Sequence, residues 1–267
     1  NVAIFHHARL GKRQDRRLAY SRPISPVSPD RPRGFRVTMK ILNSGNAKTV
    51  KGEKLGFKTF GIHLSPSDKS GYNSCQWASK GCRMACLDTA GRGNFPNVQS
   101  SRVAKTRFFF EDQDGFLSQL RKEITAAIRN AAKNNLTPCF RLNLTSDIPW
   151  ETTGIFEEFP NVQFYDYTKG ATRMTAYLSG KLPSNCHLTY SRSERKSDTP
   201  KAIAFLQSGG NVAVVFRGQL PTTWQGFPVI DGDESDLRFQ DAPSSVIGLV
   251  EKGLAKKDET GFVLEAV

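Results

Sequence analysis

The clearest hydrophobic rhythm in the chain runs from position 116 to 131. Phe116, Leu117, Leu120, Ile124, Ala127, Ile128 and Ala131 recur at three- and four-residue steps, which predicts an amphipathic helix with one stripe against a core. Arg121, Lys122, Glu123 and Arg129 fall on its solvent side, and Asp114 is placed to cap it. A basic, aromatic stretch over 98–110 suits a helix before it. Upstream, positions 57–64 alternate, with Phe60, Ile62 and Leu64 on one face and Gly61 and His63 on the other, as a strand requires. Ser65-Pro66-Ser67-Asp68 ends that strand, since proline cannot donate to a ladder. Positions 43–54, rich in Gly, Asn and Lys, read as loop or short hairpin.

After the long helix a different rhythm sets in. Apolar strand-like runs at 138–144, 162–167, 187–191 and 212–216 start roughly 24 residues apart, the length of one β-loop-α-loop unit. Helices are predicted between them at 152–159, 171–179 and 199–208. Thr199-Pro200 looks like an N-cap followed by proline at the first helical position, and Gly209-Gly210 is a stop. Two short strands follow near 228–230 and 245–249. Repeated β-α units imply an α/β protein with a parallel sheet and right-handed crossovers. A partial or closed TIM-like barrel is the expected version, because no strand is followed by the G-x-G-x-x-G of a dinucleotide-binding sheet.

In such a barrel, and in the alternative doubly wound sheet, ligands bind at the carboxyl ends of the strands. Polar residues gather there along this chain. The first strand leads to a cysteine loop, the second to Asn143, Thr145, Ser146 and Asp147, and the third to Asp166, Tyr167, Thr168 and Lys169. Ser191 to Glu194 trail the fourth, Arg217 ends the fifth, and the acidic run from Asp231 to Asp236 follows the sixth. A carboxylate and an amide at one strand end, Asp147 and Asn143, can orient a polar substrate. Lys169 is either an anion anchor or a solvated lysine. The aspartates from Asp231 onward either bind a hard cation or form a polar turn. Cys139 and Cys186, at strand beginnings, read as buried small hydrophobes.

The cysteine loop carries the strongest chemical signal. Cys75, Cys82 and Cys86 are spaced C-x6-C-x3-C, with Gly81 beside Cys82 and the Gly-rich turn Ala90-Gly91-Arg92-Gly93-Asn94 directly after. Thiolates are ligands for soft metals, and three in a dozen residues repel one another without a cation. Three thiolates alone suit a [4Fe-4S] cluster with one open iron; a structural zinc would need a fourth ligand, for which His63 and His187 are candidates.

Composition narrows the setting. The chain of 267 residues is long enough for one sizeable α/β domain, and no apolar run approaches bilayer length, so no membrane partner is expected. With no secretory leader pattern, a reducing cytoplasm is the expected compartment, where clustered cysteines bind metal in preference to pairing as disulfides. Net charge is +13, yet residues 1–38 carry nine Lys or Arg against Asp15 and Asp30, a net of +7. That Pro-rich, basic segment, ahead of the first methionine at Met39, is expected to be a disordered tail or upstream reading frame, with a DNA- or RNA-binding arm as the functional alternative. Residues 39–267 are expected to form the single folded domain.

The loop resembles, in outline, that of radical S-adenosylmethionine enzymes, where three cysteines after the first barrel strand hold a [4Fe-4S] cluster. The spacing departs from that family's C-x3-C-x2-C. The chain is more closely similar to a group of phage-encoded proteins that share a Cys-rich loop, a Gly-rich turn, and strand ends like Asn143 to Asp147, Tyr167-Thr168-Lys169 and Asp231-Gly232-Asp233. The first likeness implies a [4Fe-4S] enzyme with S-adenosylmethionine a possible cofactor; the second implies a phage origin, hence a host cytoplasm, and no particular activity. The residues themselves lead to the expectation of a small or nucleotide-derived substrate. Cys75, Cys82 and Cys86 would hold the metal; Asn143, Asp147, Tyr167, Lys169 and Asp231 would line the pocket; Gly91, Gly93, Ser191 and Arg217 would contact the cofactor. The competing expectation is a zinc-stapled nucleic-acid binder that uses the tail and the run from Lys105 to Phe110.

Overall fold

The computed structural model describes residues 39–45 and 49–266. The basic segment 1–38, and with it the expected tail, lies outside the described residues. In chain order the elements are β1 (Leu42–Asn43), β2 (Phe57–Ile62), α1 (Lys80–Met84), α2 (Pro96–Glu111), α3 (Gln113–Lys133), β3 (Thr137–Arg141) and α4 (Ile155–Glu158). There follow β4 (Gln163–Thr168), α5 (Ala171–Leu178), β5 (Cys186–Ser191), α6 (Asp198–Gln207), β6 (Asn211–Arg217), β7 (Thr223–Trp224), β8 (Phe227–Asp231), β9 (Val246–Val250) and β10 (Val263–Glu265).

The strands form one mostly parallel sheet in the order β1-β2-β3-β4-β5-β6-β9-β8-β7, with β10 also parallel to β6. Both ends of this order are antiparallel, β1 on β2 and β7 on β8. The two ends do not pair with each other, so the sheet is open and the closed barrel is not formed. Successive units from β2 to β6 add strands in one direction, as a barrel would. The order then breaks, because β8 pairs outside β9 and leaves no edge facing β2.

Alternation decides what each face does. Phe60, Ile62, Phe140, Leu142, Phe164, Leu188, Tyr190, Val212, Val214 and Phe216 join Leu120, Ile124, Met174, Ala202 and Leu206 of the helices in the main core. Full burial of each such side chain contributes roughly 1.5–3 kcal/mol. The opposite, inner face carries Thr59, Cys139, Arg141, Tyr165 and Tyr167. It is covered by the segment between β8 and β9, where Leu237 packs with Cys139 and Tyr165, and Phe57 and Phe239 pack beside them.

Several local expectations shift for identifiable reasons. Because α2 runs to Glu111, the cap of α3 is Asp112, which accepts from the Gly115 amide at 3.0 Å; Asp114 sits inside the first turn. Glu123 does not face solvent: its carboxylate takes the Ile41 and Leu42 amides, at 3.0 and 2.7 Å. The helix expected over 152–159 is broken by Gly154 in the left-handed region, φ 77°, leaving a 3-10 turn and the short α4. Helix α6 begins at Asp198, so Thr199 lies inside it rather than at its cap. Lys105, Thr106 and Phe109 are buried in α2, with Phe108 and Phe110 against the core, so that run presents no aromatic-basic strip to a nucleic acid. Cys139 and Cys186 are buried at 0% and 4% exposure. Among the described residues no helix is long and apolar enough to cross a membrane.

Candidate functional site

The cysteine loop sits across the carboxyl ends of β3, β4 and β5. The Asp147 amide donates to the Ser74 carbonyl at 2.9 Å, and the Cys75 sulfur lies 3.8 Å from the Thr145 carbonyl. Trp77 lies flat against Gly170, where a Cβ would stand 2.9 Å from the indole. The Ser79 hydroxyl caps α1 by accepting from the Cys82 amide at 3.2 Å. Glu194 accepts from the Gly81 amide and the Ser79 hydroxyl, and Arg195 donates to the Trp77 and Ala78 carbonyls. Gly81 has no room for a side chain, because Thr260 and Phe262 of the C-terminal segment press on it. Ala85 and Cys82 complete that contact by packing with Ala255, Phe262 and Val263.

The three thiols are reduced and half-buried. Burial pushes Cys75 up and Cys86 up to about 12, and Cys82 is close enough to raise both further. Two backbone amides oppose this, that of Ser67 on Cys75 and that of Asp88 on Cys86. A nearby backbone amide favours the thiolate over the thiol, so the donor chemistry fits a soft metal. The loop holds the thiols as neighbours, however, and not as a closed chelate: among the described residues no three His, Cys, Asp or Glu side chains converge tightly enough to ligate one ion. His187 is not available as a fourth ligand, since it sits on the inner face toward the strand beginnings with Tyr177 Oη at 3.0 Å from its Nδ1.

The pocket-lining expectation separates into three groups. Asn143 and Asp147 lie on the helix side of the sheet with their polar atoms committed. Asn143 Nδ2 donates to the Ile148 carbonyl and to Asp166, and its Oδ1 accepts from Ser146, Ile148 and Trp150. Asp147 accepts from the Lys169 amide at 2.8 Å and pairs with Arg173 at 3.1 Å, while Arg173 also forks onto Glu151 at 2.7 and 2.8 Å. Burial raises Asp147, against the pull of Arg173, and lifts Asp166 to about 7. These residues shape the rim under the loop; they do not offer free groups to a substrate.

Tyr167, Lys169 and Ser191 belong to the inner-face side. Lys169 Nζ donates to Ser191 Oγ at 2.8 Å and to the Ser191 and Arg192 carbonyls, and it lies 4.9 Å over the Phe262 ring. Arg141 stacks on Tyr167, 4.6 Å from the ring centroid, and its Nη1 is held by Asp236 at 3.0 Å.

The remaining expected residues stand apart. Asp231 is exposed at the end of β8, two strands beyond β6, and accepts from the Asp233 amide; Asp236, not Asp231, turns back to the inner face. Arg217 is spent on Glu265 and on the Lys256 and Asp258 carbonyls. Gly91 lies in a 3-10 turn with open space beside it, and Gly93 sits tight against Asp88 and Arg102.

Arg141 and Arg173 were not among the residues expected at the site, whereas Glu194 and Asp236 were named only as members of polar strand-end runs. Of the first two, Arg141 alone left a usable trace: a charged residue on the face opposite Phe140, within an otherwise apolar parallel strand.

Fold and loop together define an open, parallel α/β protein whose strand ends are roofed by a cysteine loop. The chain belongs to the gene product 88 family, a phage-type family whose model matches residues 39–266. No curated protein and no solved structure matches the chain significantly.

Proposed function

We propose that the protein is a metal-dependent enzyme in which Cys75, Cys82 and Cys86 close around an iron–sulfur cluster over the strand ends. The supporting observation is the placement of the loop: three thiols, two of them facing backbone amides, above a rim that carries Lys169, Ser191, Tyr167 and Arg141. A bound cluster would supply one-electron chemistry. The chain's own contribution is to fix the loop through Glu194, Arg195 and Trp77, and to present fixed cations to a small, polar or nucleotide-derived substrate. The likeness to radical S-adenosylmethionine enzymes, and S-adenosylmethionine as a co-substrate, belong to this proposal.

Purification of the full chain without oxygen, followed by iron, sulfide and zinc analysis, tests it. About four irons per chain with a visible charge-transfer band is the expected result. Cys82→Ala should lose the band and keep the wild-type far-UV circular dichroism. One zinc and no iron would replace the enzyme reading with a structural staple, and neither metal would overturn both.

A further inference from the structure

Helix α2 buries two cations with no carboxylate in direct contact. Arg102 and Lys105 are 7% and 4% exposed, one helical turn apart, and neither forms an ion pair among the described residues. Arg102 donates to the Asp88 carbonyl, and Lys105 reaches only the Ile41 carbonyl, at 3.3 Å. Their nearest carboxylates act only at a distance: Asp88 on Arg102, itself paired with Lys69 at 2.6 Å, and Glu123 on Lys105. A buried cation without a partner costs several kcal/mol, so chains avoid it unless a ligand supplies the charge.

The segment leaving β2 runs along the same turn of α2, where the Ser65 amide donates to Thr106 Oγ1 at 2.8 Å. It brings His63 within the field of Arg102, Lys105 and Arg141, which with burial holds the imidazole neutral, its pKa lowered to about 3. Four buried polar atoms in this neighbourhood have no hydrogen-bond partner: His63 Nδ1, Ser65 Oγ, Arg102 Nε and Arg141 Nε. Most buried polar groups in native proteins are paired. Ser65 Oγ, Arg102 Nε and, as its Nδ1-H tautomer, His63 can each donate to an anion, while Arg141 Nε lies 4.0 Å from Asp166 Oδ1.

The geometry points to an oxyanion subsite formed by Arg102, Lys105, Arg141, His63 and Ser65, which takes the phosphoryl group of the substrate. It deepens the reading of this rim as a substrate site by naming the substrate's charged end. Arg102 and Lys105 beside a neutral imidazole, with Arg141 balanced by Asp236 at 3.0 Å, match a phosphate dianion better than a carboxylate. Arg102 also lies near Cys86, so the subsite adjoins the cysteine loop.

The test is calorimetric titration of the full chain with inorganic phosphate at neutral pH, with acetate as the carboxylate comparison. Wild-type protein should bind phosphate, and should melt higher in its presence. Lys105→Met should weaken phosphate binding about tenfold or more while melting no lower than wild type, because it removes a buried charge and keeps the packing. No phosphate binding by wild type, equal binding of acetate, unchanged binding by Lys105→Met, or a Lys105→Met chain that melts well below wild type would each overturn the assignment. Iron and zinc analysis of the same wild-type sample is read beside the titration, so phosphate binding by metal-free protein would leave this assignment standing while the metal reading fails.

Discussion

Glu194 reaches across 115 residues to Ser79, accepting its hydroxyl at 2.6 Å, and takes the Gly81 amide at 2.8 Å with its other oxygen. One carboxylate thereby fastens the start of α1, and the cysteine loop with it, to the end of β5. Burial works against its charge, but these two donors, its own amide and the Lys169 charge together outweigh burial and hold its pKa below the ordinary glutamate value.

Glu194→Gln retains only one accepting oxygen and should cost about 1 kcal/mol at neutral pH. A carboxyl with a depressed folded pKa stabilises above its unfolded pKa and loses that contribution as pH falls. The difference between wild type and variant should therefore shrink below the ordinary glutamate range. Urea midpoints measured from neutral to acidic pH check this, and a constant difference would mean that the charge is irrelevant to the anchor.

Asp166 carries the opposite sign. Burial, only partly offset by Arg173 and Arg141, raises it to about 7, so between about 4 and about 7 the folded chain holds a proton that the unfolded chain has released. Its contribution thus favours folding at low pH and is progressively lost as pH rises to about 7. Asp166→Asn should flatten this part of the stability profile, although it places an amide donor opposite Asn143 Nδ2. Chemical denaturation across that range reads the slope directly.

Removing Arg173 leaves Asp147 and Glu151 facing each other in a nearly dry site, their side chains 11% and 8% exposed. Arg173→Met should cost about 3–5 kcal/mol. Replacing all three residues with apolar ones should cost far less than the single change. A denaturation series over the single and triple variants distinguishes an ion network that is merely tolerated from one that stabilises.

Gly170 has an ordinary φ of −76°, so its role is steric. Gly170→Ala drives a methyl into the Trp77 ring and should destabilise by about 1–3 kcal/mol, tilting the loop that carries Cys75. The change should appear in tryptophan fluorescence, and Trp77→Leu in the same background should recover part of the loss. A fluorescence spectrum identical to wild type would show that the ring moves aside freely.

The elements of the fold were legible because each follows a local periodicity. The stripe from Phe116 to Ala131 could be nothing but a helix, and the apolar runs around Phe140, Phe164, Leu188 and Val214 are the parallel strands. The cysteine loop was legible too, since three thiols in twelve residues are a local fact of composition. What the chain pattern did not disclose was whether the sheet closes. The pairing of β8 outside β9 depends on how a short hairpin docks, not on any stretch's own preference.

Side-chain roles at the rim divide along the same line. A strand end rich in polar residues marks where a site can lie, and Asn143, Asp147, Tyr167, Lys169 and Ser191 were expected there on that ground. Asn143 and Asp147 are consumed by partners up to 26 residues away, and Asp231 points away while Asp236 turns in. Arg102 and Lys105 are the sharpest case. In the sequence Arg102 reads as an ordinary helix charge and Lys105 as the start of a candidate nucleic-acid contact, and only the packing of α2 against the segment leaving β2 takes them out of water. Periodicity is a property of neighbours in the chain, whereas the charge balance of a buried site is a sum over groups that meet only when distant segments dock.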